Sequence, residues 1–600
     1  GVPDEDAEPD SPGAACLRVP PTIAALLAAR FDRLPGQERS VLQIGSVAGA
    51  VFARDAVADL SPAEARGAVD SDLAALTRRR FVRPEEGLAG SPESYRFEHV
   101  LVRDTAYGSM LKRTRADLHE RFADWLAAAP AGRALEQEEV VGYHLEQAYR
   151  CLSELGPVDA RGVALGRRAW ARLSAAGRRA LAQGDMPAAA GLLQRAMAVL
   201  PEGDRDRLEL VPDITEALLE MGAPDRALVL VDAAEAACAE AGGEVQRIRL
   251  RLAGHHLRRL SASSEWAETV TADVAHALPI LEEAGDHVTQ ARAWRLLSAV
   301  HGAASRFGPS AEALQEAIAH ARRAGDRRME RRNYHTLAVC QMLGDTPVPE
   351  AQATCRRLLE DSAGDRRTAA LLMSVLSVLA AMRGDVEESR RLQARAHDAL
   401  EELGNRLTAA VASFFHSRAE LLAGDPVRAE AVVRPSLEAL QRFGAMDYVC
   451  TAANLLGDAL CAQGRWEEAE AASRIAETAA RDDDTDARSR WRSIRARALA
   501  RSDAPQAAVV LAGQGVELAR RTDSPVLLGL ALLDLAEVGE LAGSRDTSTA
   551  AASEALRLLD AKGDLVSAAR ARELLGGVPV VGEPHTRRKP ARPLARAAGG

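Results

Sequence analysis

Lysine is nearly missing from this chain of 600 residues, occurring only as Lys112, Lys562 and Lys589. A P-loop needs Gly-Lys-Ser/Thr, so that backbone amides and an ammonium can hold phosphates. Leu111, Ala561 and Arg588 precede the three lysines, so the sequence given contains no such loop. Aromatic residues make up only 4%, while alanine, leucine and arginine dominate. That bias favours helix over strand, and the expected fold class is all-α. The seven cysteines include no CxxC pair. Odd in number and irregular in spacing, they read as reduced thiols acting as small apolar filler in a cytoplasmic protein. No apolar run is long enough for a membrane span. The nearest, Ala369 to Met382, is broken by Ser374 and Ser377 and flanked by Arg367 and Arg383, which suits a buried helix. No secretory signal is visible. The chain begins Gly-Val, and we expect a fragment of a longer protein. A net charge of −10 with mixed signs offers no basic field, so nucleic acid is not an expected partner.

What is abundant is periodicity. Gly-Asp-like turns recur at Gly344-Asp345, Gly384-Asp385, Gly424-Asp425, Gly464-Arg465, Ser502-Asp503 and Gly543-Ser544. A second series runs through Gly285-Asp286, Gly325-Asp326, Gly364-Asp365, Gly404-Asn405, Gly444, Asp483-Asp484, Thr522-Asp523 and Gly563-Asp564. Both have a period near 40 residues, so each repeat holds two helices. Glycine can end a helix in the left-handed conformation, and the following Asp or Asn can cap the next. Neither helix can bury its stripe alone, so neighbours stack into a solenoid. We expect about ten helix pairs over 168–577. The first copy fits the tetratricopeptide signature through Leu173, Ala176, Gly177, Ala180, Ala189, Leu193, Ala196 and Pro201. Gly177 and Ala189 would allow close helix approach, and Pro201 would end the second helix. A later copy keeps Leu456, Gly457, Leu460, Gly464, Ala469 and Ala476.

Residues 1–17, acidic and Pro-containing, and 578–600, basic and Pro-rich, read as disordered ends. The region 18–155 has another grammar. Thr22–Arg33 is helical, Pro35 opens a second helix, and Ala63–Arg79 reads as a third. Short β-like stretches at 80–83 and 95–97 flank a Gly/Pro/Ser loop at 87–93, which suggests a winged helix. Leu101–Leu126 and Glu136–Leu155 return to helix.

The stretches "VPPTIAALLAARFDRLP", "YRFEHVLVRDTAYGSMLKRTRADLHERFADWL" and "VGYHLEQAYR" resemble the segment after the nucleotide-binding core of large bacterial STAND-class signalling ATPases. These include the adenylate/guanylate cyclase–AAA ATPase–tetratricopeptide type and the related LuxR-type ATP-binding regulators. The resemblance covers 18–577, with 95–126 its specific part. It implies a regulatory or sensor arm: a winged-helix and helical domain followed by a tetratricopeptide-like superhelix. The concave face would take a protein, peptide or small inducer. ATP or ADP would sit in an upstream ATPase domain in cis, with no cofactor in this chain. His99 would stand where a winged-helix histidine contacts the β-phosphate of ADP, a role an imidazole suits by donating a hydrogen bond; a packed or capping histidine is the alternative. Two other readings remain open: a stand-alone tetratricopeptide adaptor, and a transcriptional regulator touching DNA through the winged helix or the basic tail.

No catalytic constellation emerges and the chain is not expected to be an enzyme. Gly45–Gly49 lacks the GxSxG order of a nucleophile elbow, and Ser109 and His119 have no placeable acid partner. His255-His256 lacks metal-ligand spacing, so no metal site is expected. Arg78, Arg79 and Arg80 lie among acids, as a solvated helix end or domain interface would. Trp125, Trp170, Trp266, Trp466 and Tyr143 read as core anchors of helix pairs.

Overall fold

A computed structural model describes residues 21–85, 93–128, 134–241, 243–258, 265–403, 406–443, 446–482, 484–501 and 504–576. The proposed end segments 1–17 and 578–600 lie outside them, as do most of the 87–93 loop and the turns at 404–405, 444, 483 and 502–503. Two compact units account for the chain, residues 1–254 and 255–600.

The first unit opens with α1 (Pro21–Asp32), α2 (Gly36–Ala48), β1 (Val51–Ala53), α3 (Arg54–Leu60), α4 (Val69–Arg78), β2 (Val82–Glu85) and β3 (Ser94–Phe97). The strands form an antiparallel sheet ordered β1-β3-β2, with Val51 opposite Arg96 and Val82 opposite Phe97. The sequence reading missed β1 and α3. It also drew the third helix too early: Pro62 and Gly67 leave only a short 3₁₀ turn at Arg66–Ala68 before α4 begins. Phe31, Leu42, Phe52, Leu73, Leu76, Phe81 and Phe97 are buried together as the core. The helix expected over 101–126 is two, α5 (Val100–Gly108) and α6 (Lys112–Ala127). The break falls where Ser109 turns its hydroxyl back to Ala106 O and Met110 dips into the core. Then α7 (Ala134–Ser153) packs on α6 and leads into helices Ala160–Gln183 and Met186–Ala198, the first tetratricopeptide-like pair.

In the second unit, helices of 10 to 18 residues alternate with short turns. The turn chemistry read from the sequence is present in detail. Gly325 and Gly384 sit at φ +71° and +84°, the left-handed conformation that favours glycine. The next Asp then accepts a backbone N–H three residues on: Asp326 from Met329 at 2.8 Å and Asp385 from Glu388 at 3.1 Å. The apolar run at Ala369–Met382 is a buried helix. Among the described residues no helix is long and apolar enough to cross a membrane. The six described cysteines are buried and unbridged.

Arg465 and Ser544 follow left-handed glycines yet cap no N–H with their side chains, and two other turns depart from the pattern further. Gly344 has φ −76° and ends its helix by donating to Cys340 O at 2.8 Å, and the following helix starts behind Pro347, not Asp345. Asp523 leaves the N-cap of its own next helix to Ser524. Its carboxylate instead accepts the N–H groups of Phe307 (2.6 Å) and Gly308 (2.9 Å). That remote helix follows Ser305-Arg306, where no acid of its own can cap it. The Gly344 and Asp523 turns both fall at one long-range junction within the second unit.

Candidate functional site

The first helices of successive pairs pack on one another: Arg327–Leu343, Arg366–Met382, Arg406–Leu422, Met446–Ala462, Thr485–Leu499, Pro525–Leu541 and Leu565–Leu574. They therefore line the concave side. Five repeats on, the turn meets itself. Helix Pro525–Leu541 touches Arg327–Leu343, and Leu565–Leu574 touches Arg366–Met382. The junction is polar. Lys562, only 1% exposed, donates its ammonium to Gln341 O (2.7 Å), Gly344 O (2.6 Å) and Thr346 O. Ser524 Oγ donates to Leu343 O at 2.5 Å. Burial pulls the Lys562 ammonium down to about 8, against the opposing pull of Asp345 and Asp564.

The faces that these first helices turn to one another are charged. Arg490 reaches Asp458 at 2.7 Å and Asp534 at 2.5 Å. Arg497 lies 3.6 Å from Asp534 and 3.5 Å from Glu537, and Glu537 also pairs with Arg501 and Arg570. Burial alone would raise the Asp534 carboxyl, but Arg490, Arg497 and Arg570 together hold it below its ordinary value. Two further charged groups of these helices behave differently. Arg418 and Asp486 are half-buried and feel each other electrostatically, yet neither makes a hydrogen bond or ion pair among the described residues. Burial lowers the Arg418 guanidinium despite the opposing pull of Asp486, Asp564 and Asp458. Burial raises the Asp486 carboxyl, and Arg418 and Arg490 offset this only in part. Nearby, His335 is pulled down to about 4 by burial and by Arg367, and meets Phe415 edge-on at 5.4 Å.

Sequence reasoning passed over Arg418, Asp486, Asp534 and Lys562 as site residues. A signal existed. Asp534 interrupts the apolar run Val526–Leu535, and Lys562 is one of three lysines in an arginine-rich chain.

His99 is exposed and caps α5, its Nδ1 accepting the Leu101 N–H at 3.2 Å. Leu173, Ala180, Ala189 and Ala196 are buried in the first pair, and its second helix stops at Ala198, three residues before Pro201. A Cβ on Gly177 would stand 2.7 Å from Leu193 Cγ, and one on Gly457 3.0 Å from Ile494 Cγ2. Ala469 and Ala476 are buried in the later copy. Arg79 pairs with Glu38 at 3.4 Å. Ser109 and His119 are not brought together: Ser109 accepts from Gln43, whereas His119 bonds Tyr107 Oη (2.9 Å) and His144 Nδ1 (2.8 Å). His255 pairs with Asp273 at 2.6 Å. Among the described residues no group of three or more His, Cys, Asp or Glu could hold a metal ion. Of the expected aromatic anchors Trp266 is buried, but Tyr143 is 40% exposed with Arg195 over its ring; it flanks the pair and does not anchor it.

No family model matches the chain, and no curated protein matches it. Solved structures do. A Rap protein complexed with competence and sporulation factor aligns over 60% of this chain and 99% of its own, at 12% identity and a TM-score of 0.47. A STAND protein with a tetratricopeptide repeat sensor from Pyrococcus horikoshii aligns over 90% of this chain and 67% of its own, at 12% identity and a TM-score of 0.34. Yeast Tom70 aligns over 78% and 97%, at 10% identity and a TM-score of 0.34.

Proposed function

We propose that this chain is the sensor arm of a STAND-class signal-transduction ATPase acting in the cytoplasm. Its solenoid binds a protein, peptide or small inducer on its concave face and performs no turnover of its own. The observation that carries the reading is a solenoid turn closed on itself by Lys562 and Asp523, with a network of Asp458, Asp534 and Glu537 against arginines between its first helices. The helix–strand unit around α4, β2 and β3 is the winged helix of this reading. It passes the event to a nucleotide switch in an upstream domain by rearrangement. There His99 meets the β-phosphate of ADP, with Nε2 turned to the nucleotide while Nδ1 caps α5.

The test begins with the reading frame upstream of Gly1. An in-frame P-loop domain supports the proposal, and His99→Ala in that longer chain should then shorten ADP retention at least tenfold. A start codon at Gly1 would leave a stand-alone adaptor and defeat the switch.

A further inference from the structure

Six arginines gather where α1 and α4 end. Arg30 donates to Arg79 O at 3.2 Å, and its guanidinium carbon lies 5.0 Å from the centre of the Phe81 ring. Arg33 follows Arg30 by three residues, Arg78 and Arg80 flank Arg79, and Arg83 stands on β2. All six are exposed. Arg79 pairs with Glu38 at 3.4 Å, whereas Arg30, Arg33, Arg78, Arg80 and Arg83 make no ion pair among the described residues. Two acids that dilute this run in the sequence are engaged elsewhere, Asp70 with Arg54 at 2.7 Å and Glu85 with Arg96 at 2.9 Å. Asp32 and Glu98 stand beside the patch and still leave it positive. Arg80 has φ +58°, the left-handed conformation in which glycine usually ends a helix. The Phe81 N–H closes that turn on Leu76 O at 3.0 Å. The negative ends of α1 and α4 favour a cation in the last turn, but they explain neither an arginine in this strained place nor Arg83 on a strand.

A nucleic-acid duplex laid along α4 would meet exposed Asp70 and half-buried Asp72 at the other end of the helix. An acidic peptide meets no such obstacle, and the chain carries one. Residues 1–20 hold Asp4, Glu5, Asp6, Glu8 and Asp10 against the single cation Arg18. They enter at Pro21, the far end of α1 from Arg30 and Arg33. The 12 residues of α1 span about 18 Å. Residues 11–20 reach up to about 33 Å when extended, so the acids can return to the arginines. The order of the chemistry matches as well. Leu26, 63% exposed, shares a face with Arg30 and Arg33 at helical spacing. On the return path the apolar Ala14, Ala15 and Leu17 pass Leu26 before residues 4–10 meet the guanidinium groups. We propose that residues 4–10 of this chain dock on the arginine patch, folding back along α1 over Leu26. The contact ties the approach to α1 to the turn between α4 and β2, and it is independent of the sensor reading.

The test is paramagnetic broadening in the full chain, with a nitroxide on Ala7→Cys in a Cys16→Ser background; the six described cysteines are buried. At about 0.05 M salt the amides of Arg79, Phe81 and Val82 should lose at least about half their intensity. They should recover by about 1 M, where the Debye length falls to about 3 Å. Ser71, at the other end of α4, should broaden less. Replacing the five acids by Asn and Gln should abolish the broadening, and so should Arg78→Gln combined with Arg83→Gln. Neither arginine makes an ion pair, so that variant should melt near the wild type. Arg80→Gly suits the left-handed turn and should weaken the contact without lowering Tm, which separates docking from folding. No broadening at low salt, or broadening that survives both sets of substitutions, would overturn the proposal. Duplex DNA that bound the wild type as tightly as the acid-neutralised variant would show the patch uncovered, and would overturn it too.

Discussion

Histidines 119 and 144 show what burial does to a titrating side chain. Tyr107 Oη lies 2.9 Å from His119 Nε2, and the two Nδ1 atoms are 2.8 Å apart. This is self-consistent for neutral rings: Tyr107 donates to His119, and His119 donates to His144. Phe122 and Tyr143 pack edge-on against His144, while Arg103 and Arg115 add like charge around His119. Burial, then His144, pulls His119 down to about 3, and burial pulls His144 down to about 4. The unfolded chain binds these protons nearer 6.5, so acid favours unfolding. The stabilisation is complete above that value and is lost as pH falls from it towards 4. One pH unit below the unfolded value, each ring should cost about 1.4 kcal/mol. Amide exchange in α6 and α7, corrected for intrinsic rates, should therefore show roughly tenfold weaker protection or worse at about pH 5.5 than at 7.5. His144→Leu should remove about half of that step, since His119 stays depressed chiefly by burial. Equal protection at both pH values would mean the rings are already solvated.

The helices and their turns were the most legible part of the sequence, because their signals are local. Asp286, Asp326, Asp365 and Asp385 each accept an N–H of the helix that follows, and a Gly-Asp pair needs no tertiary partner to do so. Strand β1 was illegible for the opposite reason: three residues gain their meaning only by pairing with Ser94–Arg96. The charged residues between the first helices were hidden in the same way. Nothing local to Asp534 says that Arg490, one repeat away, will pair with it. Helix approach lies between these extremes, since the consensus marks Gly177 but the contact decides its cost. A Cβ there meets Leu193 Cγ at 2.7 Å and Leu193 N at 3.2 Å, whereas Gly191, inside helix Met186–Ala198, has nothing within 4 Å. Gly177→Ala should destabilise the first pair by about 1–3 kcal/mol through overpacking. Gly191→Ala should stabilise it by up to about 1 kcal/mol, because alanine is the better helix former. Urea titrations followed by circular dichroism would check the opposite signs; equal effects would show that the consensus glycine is not a packing requirement.

For the second unit as a body, the departures from the turn pattern decide how it closes. A solenoid whose every cap is satisfied locally has no reason to bond to itself. Here the helix starting at Phe307 lacks a local acid and takes Asp523, 216 residues away in sequence. The Gly344 turn leaves its carbonyl to Lys562. The turn is therefore held by an ammonium in a cage of three carbonyls and a carboxylate on a helix N-terminus, both strengthened by charge. Lys562→Met keeps the length of the side chain and removes all three bonds, leaving Gln341, Gly344 and Thr346 carbonyls short of a donor in a buried place. An unsatisfied buried acceptor costs about 1–3 kcal/mol, enough to open the junction without unfolding the helices on either side. Exchange at the amides of Phe307, Gly308 and 344–351 should rise at least tenfold in that variant, and the radius of gyration from solution scattering should increase. Lys112→Met, which removes only the exposed pair with Glu154, should change neither. Were Lys562→Met to leave both readouts where they are in the wild type, the apolar contacts of Val348 and Val526 would be sufficient to close the turn, and the cage would be a consequence of closure, not its cause.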